Sequence, residues 1–212
     1  MSSDWRTHEL PPGVTQRILL IRHGETEASA RGRCYGKLDV ALSDNGRAQM
    51  QRTANLVQPL APHQIYSSPR IRALDSAQYI ANVCGVSITT DTELAELDFG
   101  DLEGKRYEDV EREYPDFYQR WMEHPTGVTF PNGESYTMMR KRVLACFARI
   151  VSGSPGMNTA LVAHGGVIRI IIADLLDLDP SAIFRIDQSY AGVNCVDFFE
   201  DTPVIRVINW LP

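Results

Sequence analysis

Two spacings divide this chain: short continuous apolar runs, and stretches in which apolar residues return every three or four positions. Ile18–Ile21 is a continuous run, too short for a helix and containing β-branched residues, which predicts a strand buried on both faces. Thr159–Ala163 (TALVA) is a second such run. Ile65–Ser67 predicts a short strand and Val86–Thr90 an edge strand. Val193–Phe199 and Val204–Trp210 predict two more, joined by a turn at Glu200–Pro203. Helical spacing links Met50, Ala54, Val57 and Leu60, behind an N-cap at Ser43 and before Pro62. A second stripe, Ala73, Leu74, Ala77, Ile80, Ala81 and Cys84, starts at Ser68–Pro69 and closes at Gly85. Tyr107–His124 reads as aromatic-rich helix broken by Pro115. Ser135–Val151 reads as a helix with Tyr136, Met139, Val143, Phe147 and Ile150 inward, and Val167–Leu178 as another. Glu27–Leu42 and the five-carboxylate stretch Glu93–Gly104 have no period and read as loops.

Both buried runs end on unusual residues. The first ends on Arg22 and His23, with Gly24 permitting a sharp exit; the second ends on His164, Gly165 and Gly166. A cation and an imidazole at the tip of a buried strand are costly unless something there needs them. An anion is the natural candidate, with His23 as the group that attacks it. Ligands in open α/β sheets bind at the carboxyl ends of parallel strands, so two such strands would bring the imidazoles face to face. Arg72 falls near a helix N-terminus just past a strand, where guanidinium and helix dipole converge on one anion.

Composition narrows the classes. A chain of 212 residues suits one well-buried domain, taken as 17–212, with 1–16 as a flexible tail and about 105–134 as a helical insertion. The formal net charge of −6 argues against nucleic-acid or anionic-membrane partners, so any phosphate affinity is local. Cys34, Cys84, Cys146 and Cys195 are scattered without zinc-site spacing and read as reduced thiols. Neither a signal-peptide core nor a stretch of membrane-spanning length is present, and a cytoplasmic location is expected. P-loop, dinucleotide fingerprint, nucleophile elbow and HExxH pair are all missing.

Four motifs in order, RHGET at Arg22–Thr26, SSPRIRALDSA at Ser67–Ala77, LAELDFGDLEG at Leu94–Gly104 and AHGG at Ala163–Gly166, resemble those of the histidine phosphatase superfamily, the phosphoglycerate-mutase-like enzymes. Within it, Cys34–Gly46 (CYGKLDVALSDNG) looks most like alpha-ribazole phosphatases, which act on a precursor of the cobalamin lower ligand. The resemblance implies a three-layer α/β/α sandwich on a mainly parallel sheet, with the helical insertion over the active site. It implies a phosphomonoesterase that needs no metal or cofactor and acts on a small phosphorylated metabolite. His23 is then the nucleophile and Arg22 and Arg72 the phosphate clamp. His164, helped by the Gly165 N–H, stabilises transition-state charge. Glu96 is the proton donor to the leaving alkoxide, its pKa raised by the phosphate dianion and partial burial. Thr26 and Ser29 fall among the phosphate-binding positions. Ser29 stands where many members carry asparagine, and its hydroxyl is shorter.

Other readings of the same residues bear on the outcome. A phosphoglycerate mutase, or a phosphatase for phosphoserine or sugar phosphates, would use the same set; an inactive phosphate-binding scaffold would have little reason to keep it. Arg70 is expected to face solvent, and His8, His63 and His124 to lie at the surface. Tyr107, Tyr114, Phe117, Tyr118 and Trp121 read as packing of the inserted helices, whereas Tyr35 and Tyr190 are candidates for the site. An edge strand near the C-terminus would allow a homodimer.

Overall fold

Strand β1 (Gln16–Arg22) forms over the apolar run, and its alternation splits the interior in two. Leu19 and Ile21 face one side and Ile18 and Leu20 the other. The computed structural model describes residues 6–200 and 202–211. Among them are the further strands β2 (Gln64–Ser67), β3 (Ile88–Thr90), β4 (Asn158–Ala163), β5 (Val193–Phe199) and β6 (Thr202–Trp210). The sheet order is β3-β2-β4-β1-β5-β6. The first four strands run parallel, whereas β5 is antiparallel to β1 and β6 to β5. Helices α1 (Asp44–Val57) and α2 (Ile71–Cys84) cover the face of Leu19 and Ile21. Helices α5 (Tyr136–Ser152) and α6 (Gly165–Leu175) cover the other. This is the expected three-layer sandwich. Helices α3 (Tyr107–Glu113) and α4 (Pro115–Glu123) lie outside it and build a separate cluster from Leu102, Val110, Trp121, Phe130 and Cys34.

Several boundaries differ from expectation, each for a local reason. Helix α2 begins at Ile71 rather than at Pro69. Arg70 is extended and serves as the N-cap, and the Asp39 carboxylate accepts the Ile71 N–H in place of a local cap. Helix α6 spans Gly165–Leu175 instead of Val167–Leu178, with His164 itself as the extended N-cap residue. Ser43 caps α1 through the Gly46 N–H as expected, and Leu60 falls in a short 3-10 turn after it. Strand β6 begins at Thr202, inside the expected turn, of which Asp201 lies outside the described residues.

The segment expected as a tail also divides. Residues 1–5 lie outside the described residues, but residues 6–16 are tied to the sheet. The Thr15 N–H donates to Phe198 O, His8 O accepts from the Asn158 side chain, and Val14 is buried. Nearby, Arg17 on β1 forms a two-pronged pair with Asp197 on β5 (2.6 and 3.0 Å) that is wholly buried. Arg206 of β6 adds a third bond to the same carboxylate.

Candidate active site

The two histidines owe their proximity to the ladder. Arg22 and Ala163 are register partners on adjacent parallel strands, and the His23 N–H donates to Ala163 O at 3.0 Å. Each imidazole belongs to the residue just past its strand, so the ring separation of 5.2 Å is close to the spacing of neighbouring strands, about 4.8 Å. The rings meet edge to face at 64°, not face to face.

His23 Nδ1 lies 2.7 Å from Gly24 O. A carbonyl only accepts, so Nδ1 carries the proton and Nε2 keeps its lone pair. Burial, with Arg22 and Arg72 adding to it, holds the imidazole well below its ordinary pKa and therefore neutral. His164 is also fully buried and held neutral, by burial first and then by Arg72, His23, Arg22 and Arg70. Its Nε2 lies 2.8 Å from Ser68 Oγ, while its Nδ1 is enclosed with no partner.

The arginines are held by carbonyls rather than by carboxylates. Arg72 is wholly buried and donates through Nη1 to Leu38 O (3.0 Å) and through Nη2 to Gly36 O (2.9 Å). Arg22 donates to Gln188 O. In both, Nε is buried without a partner, a donor left for an incoming anion. Each guanidinium lies over a tyrosine ring, Arg22 at 4.0 Å from Tyr190 and Arg72 at 5.0 Å from Tyr35. The two phenols are linked at 3.0 Å. Tyr35 thus stands against Arg72, and Tyr190 against Arg22 and 5.6 Å from the His23 ring.

Glu96 reaches the same place from its loop. Its Oε2 accepts the Gly166 N–H at the start of α6 and its Oε1 the Leu97 N–H, both at 3.0 Å. Arg142 on α5 fixes this loop, donating to the carbonyls of Glu93, Ala95 and Glu96 while paired through Nε and Nη2 with Glu134. Gly165 opens α6, where an added Cβ would stand 3.1 Å from Arg169 and 3.5 Å from Arg22.

His23, His164, Arg22, Arg72 and Glu96 line one cleft of about 150 Å³, together with Arg33, Tyr35, Phe99 and Tyr107. A larger cavity of about 370 Å³ lies across Arg22 and Tyr190 but has no imidazole in its wall. Two expected residues are elsewhere. Thr26 is buried, but its hydroxyl meets that of Tyr35 at 3.2 Å. Ser29 is exposed, and its carbonyl accepts from Arg33. Arg70 corrects an expectation: it is half-buried, its Nε is enclosed, and its charge acts on His164. Tyr107 both stacks on Trp121 at 5.4 Å and reaches the cleft, so packing and lining are not exclusive. Arg33, Phe99 and Arg142 were not singled out, although Arg33 and Phe99 lie in glycine-containing loops that were; Ser68 was read only as a helix start within its motif. Among the described residues, no three His, Cys, Asp or Glu side chains are grouped to hold a metal ion, and no helix is long and apolar enough to cross a membrane.

Known proteins are similar to this chain. The family described as the histidine phosphatase superfamily (branch 1) matches residues 18–211. A bifunctional protein of Mycobacterium tuberculosis is 30% identical over 199 residues, 93% of this chain and 54% of that protein. The chain thus spans about half the length of that relative. Phosphoserine phosphatase 1 of Hydrogenobacter thermophilus is 28% identical over 193 residues, covering 91% of this chain and 92% of its own. The crystal structure of the alpha-ribazole phosphatase from Shigella flexneri superposes with a TM-score of 0.84 at 26% identity, covering 92% of this chain and 96% of the other.

Proposed function

The chain belongs to the histidine phosphatase superfamily, and on that premise we propose that it hydrolyses phosphomonoesters through a phosphohistidine on His23, without a metal. One observation carries the reading: a neutral imidazole with its Nε2 lone pair free stands between two arginines that have no carboxylate partner. The substrate phosphate sits between Arg22 and Arg72. His23 Nε2 attacks phosphorus, the ester P–O bond breaks, and Glu96 protonates the leaving oxygen. Water then attacks the phosphohistidine and gives its proton back to Glu96, which restores the acid and releases inorganic phosphate. His164 and the Gly165 N–H hold the charge that gathers on the phosphoryl oxygens. The arginines supply the charge stabilisation that a metal would otherwise give.

The substrate is a small phosphorylated metabolite, and alpha-ribazole phosphate is the first choice, in a cytoplasmic role in cobalamin synthesis. Its aromatic base suits the ring surfaces of Phe99 and Tyr107. Arg33, in the same wall, favours instead an acidic leaving group such as phosphoserine. Phosphate release from alpha-ribazole phosphate, phosphoserine and phosphoglycerates in EDTA tests both. Release from one of them names the substrate. Interconversion of phosphoglycerates without release makes the protein a mutase, and silence throughout makes it a phosphate-binding scaffold. His23→Ala is expected to lose activity by orders of magnitude with its fold retained; comparable residual activity overturns the phosphohistidine.

A further inference from the structure

Ser68 takes no part in this phosphoryl transfer, yet it is the partner His164 has. It follows β2 directly, its N–H donates to Val162 O at 3.1 Å, and it is wholly buried. The ladder therefore places its hydroxyl beside His164, 2.8 Å from Nε2. A serine hydroxyl has one proton and two lone pairs. Here one lone pair accepts the Arg70 N–H at 3.3 Å. The other ring nitrogen, Nδ1, is enclosed without a partner in a side chain that lines the cleft.

A neutral imidazole carries one proton, and its position decides what the ring can do. With the proton on Nε2, the bare Nδ1 lone pair would face an incoming phosphate and repel it. With the proton on Nδ1, the ring donates to a phosphoryl oxygen. We infer that Ser68 is a positioning residue, whose hydroxyl donates to Nε2 of His164 and so fixes its single proton on Nδ1, toward the phosphoryl group. A carboxylate at this place would also orient the ring but would favour the imidazolium; a hydroxyl orients it and leaves it neutral. This inference rests on the phosphatase reading for its consequence, but not for its geometry.

The experiment separates the two. Ring ¹⁵N spectra of histidine-labelled protein, with the His164 signals identified by their loss in His164→Gln, report the tautomer with and without inorganic phosphate and need no activity. The expected result is a protonated Nδ1 and an unprotonated Nε2 in the wild-type protein, lost or mixed in Ser68→Ala. Kinetics on the best substrate should show kcat reduced about 10- to 100-fold in Ser68→Ala, the scale of one impaired donor to the transition state. Ser68→Thr, which keeps the hydroxyl, should recover most of it. A proton on Nε2 in the wild-type protein overturns the inference, whether or not Ser68→Ala folds. An unchanged tautomer in Ser68→Ala overturns it equally. Correct tautomers in a protein that releases no phosphate would leave the positioning intact and refute the phosphatase reading alone.

Discussion

At the scale of single residues, the site combines buried imidazoles with arginines held by carbonyls rather than carboxylates, and this has a thermodynamic consequence. His23 and His164 are both held well below the ordinary histidine pKa by burial and neighbouring cations. Below about pH 6.5 the unfolded chain binds protons that the native site refuses, so stability falls as pH drops through that value and is unaffected above it. The slope reaches about 1.4 kcal/mol per pH unit for each histidine. Unfolding free energies of the wild-type protein and His164→Gln between pH 5 and 7.5 should therefore converge as the pH falls; parallel curves would contradict the assignment. Glu96 gives a second prediction at this scale. Glu96→Gln should lose most activity on esters with poor leaving groups and least on an aryl phosphate, and equal losses would remove it as the acid. Legibility differs among these residues for a physical reason. A charged group directly after a buried strand is visible in sequence, which made His23, Arg22 and His164 readable. Glu96 is one of five carboxylates in its loop, and only the family resemblance chose it. Its support, Arg142, comes from another element, and no local pattern could reveal that.

At the scale of elements, one turn links the acidic loop ahead of the insertion to Arg72. The Glu103 carboxylate accepts backbone N–H groups from Gly36, Lys37, Leu38 and Phe99. The carbonyls of Gly36 and Leu38, on the same turn, receive Arg72. The turn is thus gripped from both ends of its peptide groups, and Gly36 is required because an added Cβ would stand 1.6 Å from Leu97 O. Glu103→Gln presents one acceptor where there were two, and costs about 1–3 kcal/mol of stability by leaving amides unpaired. Its kinetic signature should be a KM raised about tenfold, equivalent to 1.4 kcal/mol of lost phosphate binding, with kcat changed less. An unchanged KM would show that the turn does not position Arg72. The order and type of the main elements were legible because their apolar periods are long and regular. The starts of α2 and α6 were not, because the Asp39 carboxylate that meets α2 lies 32 residues from Ile71, and His164 is both a site residue and a cap.

At the scale of the whole molecule, three of the parallel strands, β1, β2 and β4, lead into the residues of the candidate site, and the two antiparallel ones extend the sheet to its other edge. That side of the sheet holds the Arg17–Asp197–Arg206 cluster, which spans β1, β5 and β6 and in which Arg17 and Asp197 are buried and Arg206 is part-exposed. Asp197→Ala removes the carboxylate that the two guanidinium groups share, and should cost about 3–5 kcal/mol in denaturant unfolding. A loss below about 1 kcal/mol, the scale of an exposed pair, would mean that water reaches the cluster in solution. The opposite end of β1 carries the histidine pair, whose separation follows the pitch of the β1–β4 ladder. That ladder works as a ruler graduated in peptide groups. Side chains of the insertion that line the cleft, such as Tyr107, can be exchanged, but the graduation is fixed by main-chain hydrogen bonding, a property every amino acid except proline shares. The separation of the two rings is thus set by the pairing of main chains rather than by the side chains around the cleft, and those side chains can be exchanged without moving the imidazoles apart.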